Sequence, residues 1–155
     1  MDRAPGWYRG PASGAGRVGW ISYADASAEH WARALLTWAR DELRYRVAGH
    51  RRLGAEVLAL LETVPLVLVL DGLEVVQEGP EDGQFGRLLD GTLREVLTGA
   101  CRIGHAGLVV LTSRFTFADL EDFDGGAARM LDVPPFTPVE GAVLLAAISR
   151  GGRTR

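Results

Sequence analysis

Two runs of this chain are apolar without interruption and each ends on polar residues. Pro65-Leu66-Val67-Leu68-Val69-Leu70 stops at Asp71, and Gly107-Leu108-Val109-Val110-Leu111 stops at Thr112-Ser113-Arg114. Runs of this length, rich in β-branched residues, read as interior strands of a parallel sheet covered on both faces. Val18-Gly19-Trp20-Ile21-Ser22-Tyr23 reads as a further short strand, and Met130-Leu131-Asp132-Val133 as another, stopped by Pro134-Pro135. Between these runs the period lengthens to that of a helix. Over 27–45, Trp31, Ala34, Leu35 and Trp38 share one face while Arg33, Arg40, Asp41 and Arg44 take the others, and Asp25 or Ser27 can cap the start. A second helix is predicted over 53–62, with Val57, Leu60 and Leu61 inward. A third is predicted over 85–101, with Leu88, Leu89, Leu93, Val96, Leu97 and Cys101 inward. Thr137-Pro138-Val139-Glu140 is a capping box with proline at the first helical position, and it opens a fourth helix carrying Val143, Leu144, Ala147 and Ile148.

The resulting order is strand, helix, helix, strand, helix, strand, strand, helix. It predicts an α/β domain with a mostly parallel sheet and helices on both faces. The expected division is a flexible segment over 1–17, rich in Gly, Pro and Ala, the α/β domain over 18–149, and a frayed tail over 150–155. Gly79-Pro80 and Asp82-Gly83 mark 78–86 as a loop, and the basic stretch 47–52 reads as a solvated connection.

Composition narrows the function classes. A chain of 155 residues, 47% apolar and 24% charged, is the size and make-up of one soluble globular domain. Its net charge of −3 gives no electrostatic case for nucleic acid or an anionic membrane. Arg3, Arg9 and Arg17 are not followed by a signal-peptide core, and no apolar stretch approaches spanning length. The single cysteine, Cys101, cannot form an internal disulfide, so the expected compartment is a reducing cytoplasm.

Most candidate chemistry fails on spacing. Gly10, Gly14 and Gly16 precede an apolar run, but a phosphate loop needs G-x-x-x-x-G-K-[ST], and the chain contains no lysine. Asp119, Glu121, Asp122 and Asp124 lack the ligand register of a calcium loop and read as a solvated acidic turn. His30, His50 and His105 are dispersed and make no zinc site, and Ser113 sits in no G-x-S-x-G elbow. Trp31, Trp38 and Cys101 lie at helical spacing on apolar faces and read as core. What remains is the strand ending at Asp71, because ligands of open α/β sheets bind beyond the carboxyl ends of the strands.

Four segments in order then carry a resemblance that covers about residues 18–148. Leu66-Val67-Leu68-Val69-Leu70-Asp71-Gly72-Leu73-Glu74 resembles the Walker B strand of NB-ARC-like signal-transducing NTPases of the STAND class. Leu108-Val109-Val110-Leu111-Thr112-Ser113-Arg114 resembles their sensor strand, and Trp20-Ile21-Ser22-Tyr23 their W-S-x-Y strand. Leu131-Asp132-Val133-Pro134-Pro135-Phe136-Thr137-Pro138-Val139-Glu140-Gly141-Ala142-Val143-Leu144-Leu145 is similar to their strand, loop and E-A-x-x-L helix after the sensor.

The resemblance implies an incomplete P-loop NTPase-like domain, acting as an ATP/ADP switch of signal transduction. Asp71 would hold Mg2+ beside the β and γ phosphates, with Thr112 and Arg114 on the nucleotide and Arg114 reporting the γ-phosphate. The family often has a second acid directly after the first; here that place is Gly72, and Glu74 is the candidate catalytic replacement. The family's phosphate loop and its strand, which belongs between the sensor strand and the last strand, are not in the chain. A truncated fragment or degenerate paralogue, binding nucleotide weakly and with no ATPase activity alone, is therefore expected. The alternative is a non-catalytic interaction domain on the same scaffold, with other protein domains or further copies of itself as partners.

Overall fold

The computed structural model describes residues 17–22, 28–81, 83–105 and 107–151. β1 (Arg17–Ser22) is followed by α1 (Ala28–Leu43) and α2 (Leu53–Thr63), β2 (Leu66–Asp71), α3 (Gly91–Arg102), β3 (Leu108–Leu111) and α4 (Pro138–Gly151). Short 3-10 turns cover Leu73–Val76 and Ala118–Phe123. The sheet has three parallel strands in the order β1-β2-β3. Its register sets Ser22 beside Asp71, and Leu70 between Ile21 and Leu111. The α/β class and the parallel pairing expected from the apolar runs are present. Residues 1–16 and the segment 23–27 before α1, with the capping candidates Asp25 and Ser27, lie outside the described residues.

One apolar core holds the layers together. α1 contributes Trp31, Ala32, Leu35, Leu36 and Ala39, and α2 Val57, Leu60 and Leu61. α3 adds Leu93, Val96, Leu97 and Ala100, all against Leu66, Leu68 and Leu70 of β2. The tryptophan at helical spacing is core, as expected: Trp31 is fully buried and Trp38 packs against the cluster. Cys101 is half-buried beside it, and burial pushes its thiol pKa up. α1 ends two residues earlier than its periodicity suggests, because Arg44 adopts a left-handed conformation (φ 56°) and Tyr45 N–H donates back to the Ala39 carbonyl. The exposed connection that follows is pinned by a buried acid, Glu56, which accepts from Ala48 N–H at 2.9 Å and from the Tyr45 hydroxyl at 3.4 Å.

Three expectations fail, each for a physical reason. Helices cover one face of the sheet among the described residues, not both. Strand order runs 1-2-3 without reversal, and successive right-handed crossovers that step a sheet in one direction lay their helices on the same side. Leu66, Leu68 and Leu70 are therefore buried, while on the opposite face Leu108 is 56% and Val110 37% exposed. Residues 130–133 form no strand. A strand needs a neighbour to bond; instead Met130 N–H donates to Asp124 Oδ1 after a tight turn, and Leu131 and Val133 are exposed.

The third correction concerns α3, which starts at Gly91 rather than at Phe85. Residues 85–89 run antiparallel to 76–78: Glu78 N–H donates to the Arg87 carbonyl at 2.8 Å and Leu89 N–H to that of Val76 at 2.9 Å. Extended backbone alternates its faces, so Leu88 is buried and Leu89 is 61% exposed. Asp90 then caps α3 by accepting from Thr92 N–H at 2.8 Å.

At the far end the capping box forms as read. Thr137 N–H donates to Glu140 Oε2 at 2.8 Å and Glu140 N–H to Thr137 Oγ1 at 3.3 Å, which holds the Glu140 carboxyl below its usual pKa. The apolar residues of the helix it opens are not packed into the core. No helix is long and apolar enough to cross a membrane among the described residues.

Candidate functional site

The carboxyl ends of β2 and β3 lie side by side, and they bring Asp71, Gly72, Glu74, Thr112 and Arg114 to one edge. Thr112 is the joint. Its N–H donates to the Leu70 carbonyl and its carbonyl accepts from Leu73 N–H, each at 3.0 Å. Its hydroxyl donates to Asp71 Oδ1 at 2.5 Å and accepts from Gly72 N–H at 3.0 Å. The carboxylate of Asp71 is thus oriented by a hydroxyl that is itself oriented by the main chain.

Gly72 opens the turn that follows β2. Its backbone sits at φ 78°, ψ 40°, the left-handed region that costs an ordinary L-residue about 1–2 kcal/mol. This sharp turn starts the 3-10 segment and brings Glu74 round, half-buried, to face Arg114. Arg114 Nε stands 3.5 Å from Glu74 Oε1, with the arginine side chain 84% exposed and the glutamate 24%. A pair with so exposed a partner is worth at most about 1 kcal/mol, so its value lies in positioning and in being easily exchanged.

A residue the sequence did not single out supports this edge. Gln77 is buried, and its Nε2 donates to the carbonyls of Gly86 at 2.9 Å and Thr116 at 2.8 Å, while Ser113 Oγ donates to its Oε1. Ser113 Oγ also accepts from Phe115 N–H at 3.0 Å. Gln77 therefore ties the turn after β2 to the turn after β3, on either side of Arg114. The close approach requires Gly86: at φ 80°, a Cβ there would lie 2.4 Å from the Thr116 carbonyl oxygen. Phe85 and Phe115 stack at 5.1 Å between centroids beside the same junction. The acidic turn has a related task, since Asp119 Oδ2 accepts from Leu88 N–H at 2.7 Å. Its neighbours Glu121 and Asp122 are exposed.

All four residues singled out from sequence, Asp71, Glu74, Thr112 and Arg114, converge here. The donor set is hard oxygen, from one carboxylate and one hydroxyl, which suits a magnesium ion that keeps most of its ligands from water and phosphate. No group of three or more His, Cys, Asp or Glu side chains gathers as a metal site among the described residues. Away from this edge, an open groove of about 580 Å³ runs along α4, lined by Pro138, Val139, Ala142, Val143, Ala146 and Ala147. No family model matches this chain, and no curated protein or solved structure matches it either.

Proposed function

We propose that the domain is the magnesium-binding and sensing half of a nucleotide switch, of the kind its sequence resembles in NB-ARC-like NTPases. One observation carries the reading: Asp71 and Thr112 are bonded at the carboxyl edge of a parallel sheet, where ligands of such sheets bind, and Arg114 pairs with Glu74 in the turns that follow the same two strands. Asp71, locked by Thr112, would hold Mg2+, which when bound neutralises phosphate charge. Arg114 would leave Glu74 to take the γ-phosphate and return when only a diphosphate is present. The weak ion pair with Glu74 then serves as the resting position of the sensor.

Strand order supports the same reading. Thr112 bonds β2 through both its main-chain groups, so alternation turns the N–H and C=O of Val109 and Leu111 to the outer edge of β3. That edge has no strand beside it among the described residues, and 131–137, which the resemblance expects beyond one further strand, are unpaired. A phosphate loop with its strand, supplied by another segment or another chain, would fit between them.

Calorimetric titration with Mg-ATP tests the reading. The half-site predicts a Kd near the millimolar range, about −4 kcal/mol, weaker still for ADP and lost in D71A. Equal heats for the native protein and D71A would exclude it and favour the interaction-domain alternative. That alternative draws on the exposed apolar residues of β3 and α4.

A further inference from the structure

Among the described residues, no side chain of α4 belongs to the apolar core. Between Glu140 and Arg150 it has no charged residue, and Val139, Val143, Leu144, Leu145 and Ile148 are each 43–73% exposed. A helix that is apolar around its whole girth is one that belongs in contact with other apolar surface. At 14 residues it also sits at the margin of what propensity alone sustains in water.

The same chain offers a second unpartnered apolar surface. Val67 and Val69 of β2 and Leu108 and Val110 of β3 face away from α1, α2 and α3. The register sets Val18 and Trp20 of β1 at the same levels. Asp71 lies at the extreme carboxyl edge of this face, so a helix can cover its centre without burying that charge.

We propose that α4 docks on this open face of its own sheet, as a strap that passes around the free edge of β3. The tether is long enough. Met130 still packs against the core on the helical side, and the seven residues 131–137 then reach about 23 Å when extended. A packed layer lies about 10 Å from the sheet on either side, so the path from Met130 to the opposite layer is about 20 Å. A tether this short gives an effective concentration in the millimolar range, so the molecule's own sheet outcompetes a second copy at ordinary protein concentrations. The strap covers a face, not the carboxyl edge, so it stands whether or not Asp71 binds a metal.

Hydrogen exchange on the full chain, at a concentration where sedimentation shows monomer, tests the strap. The α4 amides should be protected at least about tenfold over unstructured rates. L108E and V110E, at exposed positions, should abolish that protection and leave the amides of β2 and α3 unchanged. V143E, on a side chain far from the core, should do the same and serves as the deciding variant if a sheet substitution disturbs folding. Unprotected α4 amides in the native protein, protection that survives all three substitutions, or protection seen only in a dimer would overturn the proposal.

Discussion

Replacing Gln77 by alanine should cost more stability than any surface polar substitution in this chain. The amide makes three hydrogen bonds from a buried position: two donated to the carbonyls of Gly86 and Thr116, and one accepted from Ser113. Removing it takes the shorter of two bonds from the buried Gly86 carbonyl, which keeps Ala118 N–H at 3.3 Å, at about 0.5–1.5 kcal/mol. Thr116 is exposed, so water replaces much of the second bond, and the Ser113 hydroxyl can rotate. Adding about 1 kcal/mol for the lost side-chain packing gives a total of about 1.5–2.5 kcal/mol, a sizeable share of the 5–15 kcal/mol typical of a domain. Urea unfolding followed by tryptophan fluorescence reads this directly, with an unchanged m-value marking an intact native fold. A loss under about 1 kcal/mol would mean that Gln77 does not tie the two turns. Q77E sharpens the test, because a carboxylate cannot donate to either carbonyl. Burial beside those carbonyls raises its folded pKa, so Q77E should be most stable at low pH and lose stability as pH rises through that pKa.

Other substitutions probe separate parts of the account. G72A should lose about 1–2 kcal/mol through its left-handed backbone, measured by the same unfolding assay. L68A removes a fully buried side chain from the centre of β2 and should cost about 2–5 kcal/mol. Glu140, whose pKa is lowered by its bonds to the main chain and hydroxyl of Thr137, should titrate below 4.5 by NMR. Because the folded pKa is depressed, the start of α4 should be fully capped above 4.5 and should loosen as pH falls through the lower value. Cys101, with its thiol pKa raised by burial, should react with a thiol-specific disulfide reagent more slowly than an unfolded control.

The parts of the fold written in local pattern were legible. Leu66 to Leu70 announces a strand whose alternate leucines are buried, Leu108 to Leu111 announces one as an unbroken apolar run with two valines, and the Thr137–Glu140 box announces a helix because its bonds span three residues. What sequence could not convey depends on distant partners. Residues 130–133 have strand composition, yet composition does not supply a neighbouring strand. Leu88 and Leu89 fit a helical face equally well until the 76–78 segment pairs with them. The second helical layer was expected from runs that looked buried on both sides, whereas the unreversed strand order leaves one side open. At the site, Asp71 and Thr112 stood out at the ends of strands. Gln77 was silent, because its partners lie 9 to 39 residues away and a lone glutamine carries no spacing signal.

The central claim is that Asp71, Thr112 and Arg114 form one wall of a nucleotide site. Amide NMR shifts during titration with Mg-ATP test it most directly, since they report location as well as affinity. The account predicts shifts confined to the edge around Gly72, Glu74, Thr112 and Arg114, smaller with Mg-ADP and absent in D71A. Shifts scattered over the basic 47–52 connection, or equal shifts in D71A, would contradict it.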